Sequence, residues 1–180
     1  MKYNSRLVFL TVVIAGTLAG CSSMTKSPDV AGPIRKSLDQ AGYKDVSVSQ
    51  DRDKGVVTLT GHVAADSDKT QAEQLARSIA GTQVVADQIS VLPPGDVSGA
   101  KAVISDVDQA IGKLFDAALV QNHLHDNVKY GVKNGVLTLT GDVDSQPMRE
   151  QVQALAAAVP NVQQVVNEMQ VKNQKATGTN

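Results

Sequence analysis

Gly55-Val56-Val57-Thr58-Leu59-Thr60-Gly61 returns, changed at one place, as Gly135-Val136-Leu137-Thr138-Leu139-Thr140-Gly141. Seven residues repeated at a spacing of 80 mark a duplicated structural unit. Within each copy the side chains alternate. Val57, Leu59 and Val63 point one way and Thr58 and Thr60 the other, and Leu137, Leu139 and Val143 repeat the pattern. A period of two is that of a strand with one buried face. The glycine closing each stretch marks a bulge, a positive φ or a close approach of backbone, in preference to a ligand contact.

Carried upstream without a gap, the spacing sets Ile34 on Leu114, Leu38 on Ala118, Gly42 on Asn122 and Val48 on Val128. Downstream it sets Leu75 on Leu155, Ala76 on Ala156, Ile79 on Val159 and Val91 on Val171. Ala72, Leu75, Ala76 and Ile79 share one face of a helix, as do Val152, Leu155, Ala156 and Val159. Gly42 and Asn122 suit the left-handed position just past a helix end. The predicted fold class is α+β: two tandem α-β-β-α-β modules, each a small three-stranded mixed sheet with two helices on one face. The modules are expected at 30–92 and 105–172. Residues 93–104, opening on Pro93-Pro94-Gly95, read as a linker, and 173–180 as a disordered polar tail.

The first 20 residues have a different character. Lys2 and Arg6 precede the apolar run Leu7 to Leu18, which has the length of a signal-peptide core and is too short to span a bilayer. It leads into Leu18-Ala19-Gly20-Cys21, which resembles the bacterial lipobox. That resemblance implies a signal peptide over 1–20, cleavage before Cys21, and acylation of Cys21, the expected lipid-attachment site. Two or more acyl chains anchor a protein stably where one does not. Ser22 stands where Asp would signal inner-membrane retention, so the expected place is the outer membrane, facing the periplasm. Residues 21–29 form the lipidated end and a polar tether.

Composition narrows the function. The chain has 17 basic and 18 acidic residues, and removing Lys2 and Arg6 with the leader deepens the small negative balance. No basic stripe is present, which argues against nucleic acid as a partner. A single Cys excludes an intramolecular disulfide. No Ser/His/Asp or Cys/His arrangement falls in a recognisable frame, so the expectation is a non-catalytic binding or structural protein without cofactor. His123-Leu124-His125-Asp126 has metal-ligand residue types, and in an extended segment His123 and His125 would share a side. Surface-loop polarity explains them better, so no metal site is expected. Asp51-Arg52-Asp53-Lys54-Gly55 opens like a calcium loop but lacks the later ligands, and reads as a turn. Asp87 and Asn167 lie in register with apolar neighbours. A polar group on such a face is expected to bond nearby backbone.

The first helix of the second copy offers a candidate interaction surface. Ser105 is its expected N-cap, with Asp108 completing a capping-box-like start. Val107, Ile111, Leu114 and Ala118 form the expected core stripe. Phe115 and Leu119 lie on its shoulder, and the spacing of 80 matches them to the charged Arg35 and Asp39. Either they pack against the first copy or the linker, or they offer an apolar ridge to lipid or a partner protein.

The segments Leu59-Thr60-Gly61-His62-Val63 and Leu139-Thr140-Gly141-Asp142-Val143 resemble the BON domain, as do the helix after each and the closing strands with Asp87 and Asn167. The resemblance runs from Val30 to Lys172. It departs from the family pattern at Gly81-Thr82, at Pro160-Asn161-Val162, and at Asp87, where Asn is favoured. With the lipobox, the chain is similar to dual-BON outer-membrane lipoproteins. This implies an envelope-integrity protein under osmotic or envelope stress, which binds phospholipid or an outer-membrane protein through its second module. The alternative is a periplasm-facing structural protein that binds envelope proteins or peptidoglycan.

Overall fold

The computed structural model describes residues 26–95 and 97–172. The first module runs α1 (Ala31–Gln40), β1 (Val46–Asp51), β2 (Val56–Val63), α2 (Asp66–Ala80) and β3 (Val84–Val91). The second runs α3 (Val97–Gln121), a short 3₁₀ turn (His125–Asn127), β4 (Lys129–Lys133), β5 (Val136–Thr140), β6 (Asp142–Val143), α4 (Gln146–Ala157), β7 (Gln164–Asn167) and β8 (Gln170–Val171). This is the expected fold class. In each module the middle strand pairs antiparallel with the strand before it and parallel with the strand after α2 or α4. Parallel neighbours need a crossover, and the helix supplies it.

Local chemistry fixes the helices. Asp66 and Asp68 sit in the first turn of α2 and Arg77 in its last, matching the helix dipole. Gly81, at φ +64°, ends it. Ser145 caps α4, its hydroxyl accepting the Met148 amide at 3.4 Å. Small side chains at Ala72, Ala76 and Ala80 bring α2 close to the sheet, over Val57, Leu59, Val85 and Ile89. The second core is built around Ile111, Phe115 and Leu119 from α3, with Leu137, Leu139, Val152 and Ala156.

The repeat is not gapless. β2 and β5 align at a spacing of 80, but upstream of them the spacing grows. Thr60 pairs with Ser47 while Thr140 pairs with Lys129, so β4 lies 82 residues after β1. The Tyr43 amide closes α1 on Leu38 O at 2.9 Å, and the Leu124 amide closes α3 on Leu119 O at 2.9 Å, a spacing of 81. The cause is the hairpin turn. Asp51 pairs with Val56 across a longer loop, whereas Lys133 pairs with Val136 across Asn134-Gly135 alone. Asn134 and Gly135 have φ +51° and +75°, as a two-residue type I′ turn requires. Val128 therefore answers to Val46 rather than Val48, and both are buried. His123, at φ +56°, takes the place of Gly42 past the helix end, not Asn122.

A further boundary differs from expectation. Residues 97–104 of the expected linker are the start of α3, so Ser105 lies inside that helix and does not cap it. Asp108 instead holds the hairpin. Its carboxylate accepts the Asn134 amide at 2.8 Å and the Gly135 amide at 2.9 Å.

The modules meet through the sheet faces turned away from the helices. Val56, Ala86, Val136 and Val166 form a small buried cluster there. Lys54 Nζ meets Glu168 Oε2 at 2.5 Å, and Asn134 Nδ2 donates to Gln88 O at 2.5 Å. Lys54 and Asn134 are repeat mates, as are Glu168 and Gln88. The contact is thus a pseudo-two-fold one, each module using the same patch. Gln164 breaks the symmetry. Its carboxamide accepts from the Asp87 amide at 3.0 Å and donates to Val85 O at 2.6 Å, covering the open edge of β3.

Candidate functional site

α3 has to bury one face to complete the second core, and a helix residue meets neighbours three and four away. The face it buries is Ile111, Phe115 and Leu119, each fully inaccessible. Phe115 packs edge-to-face on Tyr130 with centroids 5.1 Å apart. Phe115 and Leu119 are therefore core residues and not an exposed ridge. With the spacing corrected to 81, their mates in the first module are Ile34 and Leu38, also fully buried, rather than Arg35 and Asp39. Leu114, expected in the core, is half exposed.

The outer side of α3 carries exposed apolar side chains instead. Val103, Leu114 and Val120 are 64%, 50% and 54% exposed. At about 100° per residue, Val103, Ala110, Leu114 and Ala117 fall within roughly 60° of one another. All four are exposed, and Asp106 and Lys113 flank them. Among the described residues no helix is long and apolar enough to cross a membrane. An apolar stripe of this width suits a helix lying against an interface.

Behind the stripe, a groove of about 730 Å³ opens between α2, β3, α3 and the Asn134–Gly135 hairpin. One wall is charged, with Lys69, Glu73 and Arg77, and the other is apolar, with Val103 at the edge of the stripe, Ile104 and Val107. Asp87 lies in it at 6% exposure. Its Oδ1 accepts the Ile89 amide at 3.1 Å, and Asn167 Oδ1 accepts the Met169 amide at 3.1 Å in the same way. Both side chains bond backbone, as their register suggests. Burial holds the Asp87 carboxyl above its ordinary range, against the pull of the Ile89 amide.

The other sequence candidates fall into structural roles. Gly61 and Gly141 have φ of +113° and +119°. A Cβ on Gly61 would stand 2.0 Å from the Asp45 carbonyl oxygen, and one on Gly141 2.7 Å from that of Asn127. Asp51 spends its carboxylate on the amides of Asp53 and Lys54 at 3.0 and 3.1 Å, which makes a turn. The His123–Asp126 segment is a tight turn, not extended. His125 faces Asp116 at 3.2 Å and Asp126 at 3.5 Å. Among the described residues no three His, Cys, Asp or Glu side chains gather as a metal group. Cys21 lies outside the described residues. The seam between modules was missed by sequence reading, although Val56 and Val136, apolar on the strand face opposite the core, were its signal.

The BON domain model matches residues 29–93 and 107–173, one match per module. The chain belongs to the BON-domain family. This BON doublet is 28% identical over 137 residues to osmotically-inducible protein Y of Escherichia coli, covering 75% of this chain and 67% of that one. The solved structures that match include two of CdsD, a structural protein of the type III secretion system of Chlamydia trachomatis. The first is 17% identical with a TM-score of 0.34, covering 80% of this chain and 92% of that one. The second, the CdsD C-terminal domain, is 17% identical with a TM-score of 0.33, covering 82% and 99%.

Proposed function

We propose that this protein is a non-catalytic, lipid-anchored component of the bacterial envelope, held at the outer membrane by Cys21. In this reading it serves envelope integrity under osmotic stress by laying the outer face of α3 on phospholipid. The observation that carries it is the stripe of Val103, Ala110, Leu114 and Ala117, exposed on a helix whose opposite face is fully committed to the core. Likeness to an osmotically inducible relative supports the stress role. The lipobox supports the anchor. Asp106 and Lys113 beside the stripe carry opposite charges, so lipid contact is apolar and only weakly salt-dependent.

Two measurements test this. Val103→Glu with Leu114→Glu, in the mature chain made without acylation, is expected to weaken phospholipid-vesicle flotation at least tenfold. Exposed substitutions of this kind change stability by about 0.5 kcal/mol or less each, so the melting temperature should stay put. Unchanged flotation would remove the stripe from the mechanism. Failure of the parent chain to float, with crosslinking to an envelope protein in cells, would favour the periplasm-facing alternative. Separately, Cys21→Ala should leave the protein unacylated and unprocessed, shifting it out of the membrane fraction. A wild-type mass with no acyl chain at Cys21 would defeat the anchor.

A further inference from the structure

The two modules differ at one polar position on the closing strand, buried as Asp87 in the first module and half-buried as Asn167 in the second. In the second module Asn167 Nδ2 donates to Gln153 Oε1 at 2.9 Å, tying the closing strand to α4. Their mates in the first module, at the spacing of 80, are Asp87 and Glu73. Two neutral amides that hydrogen-bond are thus replaced by two carboxyl groups at the same places on β3 and α2. A pair of carboxylates has no donor to offer. A carboxylic acid and a carboxylate do, and one shared proton restores the bond that the amides make.

The surroundings leave that position open. Asp87 Oδ1 is taken by the Ile89 amide. Among the described residues no protein donor bonds Oδ2. Arg77 directs both Nε and Nη2 to Glu73 Oε1, at 2.9 and 2.5 Å, leaving Oε2. The counterpart of Arg77 is Ala157, so this clamp belongs to the acidic pair alone. From α2 the other charges facing Asp87 are Lys69, whose Nζ donates to Gln163 at 3.3 Å, and Asp66 at the helix start. From α3 there is Asp108, with both oxygens on the hairpin amides. The 161–164 segment brings only the carboxamides of Asn161, Gln163 and Gln164. Lys69 and Arg77 offset the acids, so the groove has no strong field for a cationic ligand. A proton is the ligand that the geometry accommodates.

We propose that Asp87 and Glu73 form a proton-binding site, in which one shared proton supplies the strand-to-helix bond that Asn167 and Gln153 make in the second module. Burial of Asp87 and the charge of Glu73 both favour the protonated acid, while Lys69 and Arg77 oppose it. The folded state then binds a proton more tightly than the unfolded chain. Its contribution is fully present at low pH and is lost as pH rises from the ordinary carboxylate range through the folded value.

The test compares the full mature chain with Glu73→Gln/Asp87→Asn, which gives the first module the residues of the second. Thermal unfolding is followed from pH 4 to 7.5. The double variant should melt about 5 °C above wild type at pH 7.5, and the gap should close as pH falls. The reciprocal Gln153→Glu/Asn167→Asp should install a new pH dependence in the second module. Carboxyl-carbon NMR should show Asp87 titrating above the ordinary range in the wild type, and Glu73→Gln should move that titration. A constant gap across the pH range, or an Asp87 titration at the ordinary value that Glu73→Gln leaves unmoved, overturns the proposal.

Discussion

Replacing Phe115 by Arg and Leu119 by Asp is expected to unfold the second module. Both side chains are fully inaccessible and lie at the centre of its core, among Ile111, Leu137, Leu139 and Val152. Truncation alone of such residues costs about 3–5 kcal/mol for Phe and 2–5 for Leu. Burying an unpaired guanidinium and carboxylate adds several more. A small domain has only about 5–15 kcal/mol to lose. Amide NMR signals from 105–172 should collapse to the random-coil range, while those of 30–92 keep their dispersion. Leu114→Arg, one residue before Phe115 and half exposed, should shift the midpoint by about 0.5 kcal/mol or less. Equal tolerance of the two substitutions would mean that α3 is rotated on its core.

Gly61→Ala is expected to be the most damaging single-methyl change in the first module. The new Cβ would sit 2.0 Å from the Asp45 carbonyl oxygen and 3.0 Å from its carbon. Both are backbone atoms at the start of β1, where no rotamer change gives relief. The residue also holds φ +113°, which L side chains adopt only with strain. Strain alone costs about 1–3 kcal/mol, and the clash forces β1 away from β2 as well. The matched Gly141→Ala should cost less, since its nearest contact is 2.7 Å from Asn127 O. Urea denaturation of the two variants should show that order. A larger loss for Gly141→Ala would contradict it.

The repeated strand was legible because its period of two survives in both copies, from Val57 to Val63 and from Leu137 to Val143. The helix after each strand was legible too, since the chain between them keeps its length. The helix before was not. Asn134-Gly135 turns the chain in two residues fewer than the Asp51–Val56 turn, and the loop after α3 gives one of them back. One residue of slip is about 100° of helix rotation. It moved Phe115 and Leu119 from core to surface on paper, and Leu114 the opposite way. The Asn-Gly pair is itself a strong turn signal, so the shorter hairpin was within reach of the sequence. The seam was less so. Gln164 has no repeat mate of its kind, because Val84 stands there, and a long-range side-chain bond to a strand edge leaves no local pattern.

Pairing of the modules across their pseudo-dyad has a kinetic consequence. Among the described residues, four buried apolar side chains and a few polar bonds hold the seam. Two free modules with so small a contact would associate weakly and separate on dilution. The short stretch between Val91 and Val97 makes the encounter intramolecular, at an effective concentration on the order of millimolar. The closed arrangement is then a property of each single molecule, independent of how much of the protein is present.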